Sequence, residues 1–352
     1  MKNTTIYIRT LKRAEHTVFC VSDGQKSYYD TQFNRRIPFS SGQQVKRSVL
    51  ESICEVLNVQ LSPTTFLFDV VKQKELKEGE VYGTCDPSYV DQLFGGWMKA
   101  AKGGTERTLK RRSPLSISAM RGLHPLLAGI DKDNATFDRS DRSNNEVIVR
   151  DEKGNILSTD EVVTFLEGKD RSLSRKWIPD QSRASGLFVS DIAIDLRRLF
   201  TVSLNSFEPE VADVTIEKLK SEGWKETKTV FGDCLVAPKK LREEWSKALA
   251  HAIVNWKITS NQSRTFSLMD TLALSVSNNA NLIAGSIRAK LVDDDTRKAE
   301  PIVEENMDGV ETFITLQAGG YMLTKGETVD AMQRAEEYLV KQMMAFDYEN
   351  QL

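Results

Sequence analysis

With 352 residues, 40% of them hydrophobic and 28% charged, the chain has enough apolar material for a sizeable core, arranged as about two domains or as one domain with large insertions. No apolar run approaches the ~20 residues that a membrane span requires, and the start MKNTTIYIRTLKR lacks a signal-peptide core, so a cytoplasmic location and no membrane partner are expected. The formal net charge of -2 opposes polyanion binding only as a sum: basic residues gather in RTLKR (9–13), NRRIPF, RTLKRR (107–112) and RSLSRKW (171–177), and acidic ones in VKQKELKEGE, VDDDTRKAEPIVEEN and the C-terminal helix.

In chain order, TTIYIRTLKRAEHTVFCVS alternates and is rich in β-branched and aromatic residues, which predicts one long or bent strand over about 4–22. DGQKSYYDTQFNRRIPFSSG follows as a polar loop. In NRRIPFSSGQQVKRSVLESICEVL the apolar residues Val45, Val49, Leu50, Ile53, Val56 and Leu57 recur at helical spacing. SPTTFLFDVV predicts a short strand, and the stretch from there to Arg112 mixes helical fragments with Gly-Gly breaks, as an inserted lobe does. NEVIVRDEKGNILST predicts an exposed hairpin inside a long polar excursion, 130–185, of the kind that serves as a binding arm.

Regular structure returns with a covered strand in SGLFVSDIAIDLRRLF. DVTIEKLKSEGWKETKTVFGDCLVAP predicts a short helix and a hairpin. Leu241, Trp245, Leu249, Ala252, Ile253 and Trp256 mark a helix over 239–258, and FSLMDTLALSVS a further strand. Two strand-helix-strand halves separated by insertions define an α+β class with a ferredoxin-like or RNA-recognition-motif-like palm.

The helix start in SSGQQVKR carries the first candidate chemistry. A helix N-terminus leaves backbone N–H groups unpaired and partially positive, so it favours an anion. Ser40, Ser41 and Gly42 would admit one closely, and Gln43, Lys46 and Arg47 lie off the apolar stripe. Metal and cofactor chemistry find little support. Cys20, Cys54, Cys85 and Cys234 show no C-x-x-C spacing and are expected to be reduced, buried thiols, while His16, His124 and His251 are not spaced as ligand pairs. No P-loop and no dinucleotide fingerprint occurs, which weighs against a small-molecule enzyme using the serine turn as a phosphate cradle. No RNP1-like string of paired aromatics occurs either, against a stand-alone RNA-recognition module.

Four segments taken together resemble one family, the backbone subunit that coats the guide RNA in type I CRISPR surveillance complexes of the Cascade kind. RRIPFSSGQQVKRSVLE is similar to the family's Arg-x-Ser-Ser-Gln-Ser-Leu-Lys-Arg-Ala stretch, with Gly42 as an additional residue. SPLSISAMRGLHP resembles Ile-Ala-Leu-Ser-Gly-Arg-Met at the base of the thumb, although here the arginine follows the methionine. SGLFVSDIAIDLRRL resembles the strand after the thumb, and WSKALAHAIVNWKITSNQSRTF the later helix and its loop.

The resemblance implies a palm from 1–58 and 186–277, an inserted finger lobe at 59–115, a thumb hairpin or arm at 116–185, and 278–352 as a C-terminal extension of the palm. It implies no cofactor and no catalysis, with the guide crRNA, copies of the same chain head-to-tail, other Cascade subunits, and target DNA through base pairing as partners. RNA contacts are implied for Arg35, Arg36, Ser40, Ser41, Gly42, Gln43, Gln44, Lys46 and Arg47. At the thumb base they are implied for Ser118, Met120 and Arg121, with Met120 as a wedge between bases, helped by Leu123, and in the later loop for Gln262, Ser263 and Arg264. Arg111, Arg112, Arg175, Lys176 and Trp177 are secondary candidates. Such contacts grip phosphates and leave sequence to base pairing. The related type III backbone subunits, which cut target RNA with a loop aspartate, give the alternative reading, with Asp23 or Asp30 in the corresponding loop.

Overall fold

The computed structural model describes residues 3–20, 24–72, 74–101, 107–136, 148–168, 177–258, 266–293 and 295–352. Alternating burial builds the first strand, β1 (Thr5–Thr17), with Ile6, Ile8, Thr10, Lys12 and Ala14 on one face and Tyr7, Arg9, Leu11 and Arg13 on the other. The expected polar loop is instead a hairpin of β2 (Ser27–Asp30) and β3 (Arg35–Ser40). Its turn residues hid it. The Asp30 carboxylate accepts from the Phe33 N–H at 2.8 Å and Asn34 takes φ 53, while Tyr28 and Tyr29 pair across with Ile37 and Arg36.

Helix α1 (Gly42–Leu57) then begins on Ser41, whose hydroxyl accepts from the Gln44 N–H at 3.3 Å, and ends on Asn58 in the left-handed region. Val45, Val49 and Ile53 are buried, with Leu50 and Leu57 packed against them. Val56, at 47% exposed, is the expected stripe residue that faces solvent.

The next segment holds an antiparallel hairpin, β4 (Thr64–Val71) and β5 (Glu75–Gly83), where helical fragments were expected over the latter. Glu75 to Gly83 offers no helical apolar stripe and pairs instead as a ribbon. A short α2 (Val90–Gly95) follows, then β6 (Trp97–Lys99) paired with β7 (Leu109–Arg111), and the short strands β8 (Leu115–Ile117) and β9 (Met120–Gly122).

Strand β10 (Ala128–Thr136) begins in the larger of two compact units, and Asp131–Arg183 forms the smaller one. Within the smaller unit, Asp151 accepts from the Lys153 and Asn155 N–H groups, Gly154 takes φ 88, and a single bridge joins Arg150 and Ile156. The expected hairpin is thus reduced to one bridge among the described residues. Directly after it comes helix α3 (Thr159–Leu166), closed by a capping box between Ser158 and Glu161.

After β11 (Trp177–Asp195) come α4 (Leu196–Leu199), β12 (Thr201–Ser203), α5 (Asp213–Ser221) and the hairpin β13 (Lys225–Thr229) with β14 (Gly232–Val236). Helix α6 (Lys239–Asn255) leads to β15 (Thr271–Ser277), and the remainder is α7 (Ala280–Ser286), β16 (Ile287–Val292), β17 (Asp295–Val303), β18 (Val310–Thr315), β19 (Glu327–Thr328) and α8 (Ala331–Met344).

In the central sheet β15, β1, β11 and β8 lie side by side and antiparallel. With α1 between β1 and β8, and α6 between β11 and β15, the strand order is fourth-first-third-second, the ferredoxin-like arrangement expected of an α+β palm. Strands β18 and β19 extend the sheet beyond β15, and β9, β3 and β2 extend it on the other side. Ile6 and Ile8 pack with Val45, Val49 and Ile53 of α1 and Leu249 and Ile253 of α6, while Leu11, Leu187, Ile287 and Ile314 form a smaller core on the opposite face. The four cysteines are free and buried, and burial pushes the thiols of Cys54 and Cys234 up to about 11. Among the described residues no helix is long and apolar enough to cross a membrane.

Lys12 is a charge on the core face of β1. Its ammonium donates to the Thr271 hydroxyl at 2.8 Å and lies 5.0 Å from the Trp256 ring centre, and burial pulls its pKa from 10.5 down to about 7. Between those values the unfolded chain carries a proton that the folded chain has lost, so this group makes stability rise with pH across that window and fall as pH drops to 7. The rise is expected to be on the order of a few kcal/mol. Urea melts from pH 7 to 10 check it, with Lys12→Met flattening the slope.

Candidate nucleic-acid interface

The two segments singled out at 35–47 and 118–121 meet along one seam. Strand β3 pairs with β9, setting Phe39 opposite Arg121 and Ser40 opposite Met120. Gly42 explains how α1 fits there. A Cβ at this position would lie 2.5 Å from the Ile117 carbonyl oxygen and 3.0 Å from the Ser118 carbonyl carbon, so only glycine lets the helix start abut this turn. The close approach that Gly42 provides is to the chain's own backbone rather than to a phosphate. Gly42→Ala is expected to cost about 1–3 kcal/mol by overpacking, more than the ~1 kcal/mol that alanine gains over glycine in a helix, as a chemical melt measures.

Burial corrects two residues. Ser40 is fully buried and its hydroxyl donates to the Phe19 carbonyl at 3.3 Å, so it offers nothing to a ligand. Met120 is 1% exposed within the main core, so it is a packing residue and not a wedge. Met120→Ala is expected to lower stability by about 2–5 kcal/mol, the range for emptying a core methionine site. Denaturant unfolding measures this, whereas an exposed wedge would lose almost no stability.

Lys46 also differs from expectation. Its ammonium donates to the Gly95 carbonyl at 2.8 Å, closing the end of α2, and burial lowers its pKa to about 8. It is tied inward. Arg47 is exposed but pairs with Glu51 one turn on at 2.7 Å and lines a shallow groove with Glu55, His251 and Asn255. Gln43 is exposed, and Ser41 and Gln44 are half-buried.

The thumb-base residues are fixed by β11. Ser118 donates its N–H to the Asp191 carbonyl at 2.9 Å, and its hydroxyl accepts from the Asp191 N–H at 2.8 Å. The Asp191 carboxylate is held by two guanidiniums: Arg9 across β1 at 2.6 and 3.0 Å, and Arg121 at 3.2 and 3.3 Å. Two cations on one anion leave a net positive charge. Arg9 also donates to the Ala284 and Ile287 carbonyls and is nearly covered, whereas the Arg121 side chain stays 41% exposed. Arg121 is therefore the member that can turn to a ligand.

Beyond it the sheet edge is basic and aromatic. Arg35 and Arg36 are exposed and form no ion pair among the described residues. The Tyr28 ring lies 6.1 Å from that of Phe39, with Tyr28 39% and Tyr29 52% exposed, and the Tyr29 hydroxyl meets the Asn34 side-chain oxygen. Residues 35–36 were legible as basic. Tyr28, Tyr29 and the Arg9–Asp191 pair were missed because the hairpin was read as a loop; the alternation of β1 was the signal that could have placed Arg9 on the face opposite the helices.

Several candidates fall elsewhere. Gln262, Ser263 and Arg264, with Asp23, Arg175 and Lys176, lie outside the described residues, and nothing is described of the Trp177 side chain. Arg111 is buried, not presented to a strand. Asp30 serves its turn through Phe33. No cluster of three or more His, Cys, Asp or Glu side chains suited to a metal occurs among the described residues.

The architecture is that of an α+β palm whose basic, aromatic edge adjoins the start of its first helix. No family model and no curated protein matches the chain. Among solved structures, it is similar to a chain of one described as a CRISPR RNA-guided surveillance complex, pre-nicking, at 9% identity and a TM-score of 0.46, covering 97% of this chain and 89% of that one. It is also similar to a chain of another, described as a CRISPR RNA-guided surveillance complex, at 11% identity and a TM-score of 0.40, covering 90% and 80%.

Proposed function

We propose that this protein is a guide-RNA-binding backbone subunit of a type I CRISPR interference complex, repeating head-to-tail along the crRNA and holding it for pairing with target DNA. The observation that carries the reading is the seam itself: the SSGQQ helix start and the SISAMRG turn, about 75 residues apart, pack so closely that only Gly42 fits between them. These are the segments whose sequence resembles the family's RNA-contacting motifs. Around the seam stand Arg35, Arg36 and Arg121, with Tyr28 and Tyr29 offering ring faces. Cations beside exposed aromatics suit a single strand gripped by its phosphates and supported by stacking, without base readout.

The protein acts without catalysis in this reading, in the cytoplasm, beside other subunits of the complex. A heterologous contact between copies that does not close would let one small chain cover a long RNA. Co-expression with a CRISPR array, followed by sizing and sequencing of retained RNA, tests it: repeat-spacer RNA in a large particle is expected, and protein free of RNA would refute it. Of the two aspartates of the ribonuclease alternative, Asp30 is committed to its turn and Asp23 lies outside the described residues.

A further inference from the structure

A second basic surface shares no residue with the seam. It is a groove of about 630 Å³ walled by the end of β7, the 205–210 loop and the β13–β14 turn. Its floor is neutralised: the Arg111 guanidinium is sealed beneath and paired with Glu210 at 3.0 Å. Its rim is not. Arg107, Lys110 and Arg112 are exposed, and among the described residues none of the three forms an ion pair; the exposed acids of the groove are Glu208 and Asp233, the latter shared with Lys228 at 3.6 Å.

Two phenylalanines face this rim. Phe207 is 89% exposed, yet its backbone is held: its N–H donates to Asn205 Oδ1 at 2.8 Å and its carbonyl accepts from Arg107 at 3.0 Å. A large apolar ring kept in water on a fixed turn contributes nothing to the fold. Phe231, 44% exposed at the β13–β14 turn, has the Arg198 guanidinium 3.4 Å and the Arg197 guanidinium 5.0 Å from its ring centre, and both arginines are anchored by Asp195, at 3.1 and 2.9 Å. Its other features are those of a stacking platform: a planar group fixed beside cations.

We infer that this groove is a second binding site for single-stranded nucleic acid, with phosphates along Arg107, Lys110 and Arg112 and bases against Phe207 and Phe231. Cations alone would suit any polyanion. Fixed, solvent-standing rings among them favour bases, because base–aromatic stacking contributes about 1–3 kcal/mol per base and is indifferent to sequence. The volume falls in the range of about 300–1,000 Å³ usual for ligand sites. Recognition of DNA and RNA strands is the same here, since neither the 2′-hydroxyl nor base edges are read. The inference does not rest on the guide-carrier reading, since the test is scored on the protein alone.

The test uses the full-length protein with 12-residue oligomers of 5-iododeoxyuridine and of 5-iodouridine, photocrosslinked and mapped by mass spectrometry. Crosslinks to the peptides holding Phe207 or Phe231 are expected with both oligomers. They should disappear in Phe207→Ala/Phe231→Ala while crosslinks at the seam, where present, persist. Lys110→Glu/Arg112→Glu should weaken that crosslink at least tenfold, and poly-glutamate should fail to compete at equal charge. All four side chains are exposed, and a thermal melt of each variant confirms that it folds. Crosslinks confined to other peptides overturn the proposal, and so does equal competition by poly-glutamate, which would mark the groove as a docking surface for an acidic protein segment.

Discussion

Replacing Glu210 by glutamine is expected to lower the unfolding free energy by about 3 kcal/mol, the low end for stranding a buried charge. Glutamine keeps the oxygen that accepts from the Ser203 N–H at 2.9 Å, so only the charge opposite Arg111 is lost. The Arg111 side chain is 1% exposed, and burial pulls its pKa down, so the guanidinium depends on its neighbours. It donates to the Thr201 carbonyl at 2.7 Å, to the Arg198 carbonyl at 2.8 Å and to the Leu93 carbonyl at 3.3 Å, joining α2, α4 and β12 through one side chain. Arg111→Met is therefore expected to cost at least as much, because these carbonyls lose their donor. The double variant should cost clearly less than the sum, by about 1–3 kcal/mol of coupling, as urea unfolding of all four proteins would show.

Arg111 shows where reading residues in sequence stops. In RTLKRR it is one of six residues in a basic run and indistinguishable from Arg112, yet strand alternation sends Arg111 into the core and leaves Arg112 on the groove rim. Which parity faces inward is fixed by the partner strand β6 and by loops that come about 90 residues later, information that no local window contains. Met120 teaches the same lesson from the apolar side: a methionine between an alanine and an arginine is read as exposed only when the strand that carries it goes unrecognised.

Periodicity was decisive where an element had one long buried stripe. α1 and α6 were legible from their apolar spacing, and β1, β11 and β15 from alternation and β-branched content, whereas the palm's remaining strand, the three-residue β8, is too short to carry a pattern. The β2–β3 hairpin was hidden because half of its residues are polar or turn-forming, and α3 because its N-cap Ser158 closes a stretch with strand alternation while the rest of it lies in a polar excursion. In the site, the meeting of the helix start with the 117–119 turn was legible only through resemblance. Lys46 was misjudged because its tether, the Gly95 carbonyl, lies 49 positions away and leaves no mark on the helix sequence.

Removing the guanidiniums at the sheet edge is expected to have the largest functional effect. Among the described cations proposed for the guide, Lys46 is engaged by Gly95 and Arg47 by Glu51, which leaves Arg35, Arg36 and Arg121 to meet phosphates, Arg264 lying outside the described residues. Each phosphate contact to a single strand releases roughly 0.7 of a counterion, so Arg35→Ala/Arg36→Ala should flatten the slope of log K against log salt by about 1.4. At low salt the affinity for a guide-length RNA should fall at least tenfold. Arg121→Ala should add to this and also free Asp191 from its second cation, whereas Asp191→Asn should strengthen RNA binding by leaving both guanidiniums unpaired by a carboxylate. That opposite pair of signs separates an electrostatic contact from a structural one: a variant set that only destabilised the palm would weaken binding in every case. Fluorescence anisotropy with the intact protein across 50–300 mM salt, on the order of the range over which such slopes are read, decides between them.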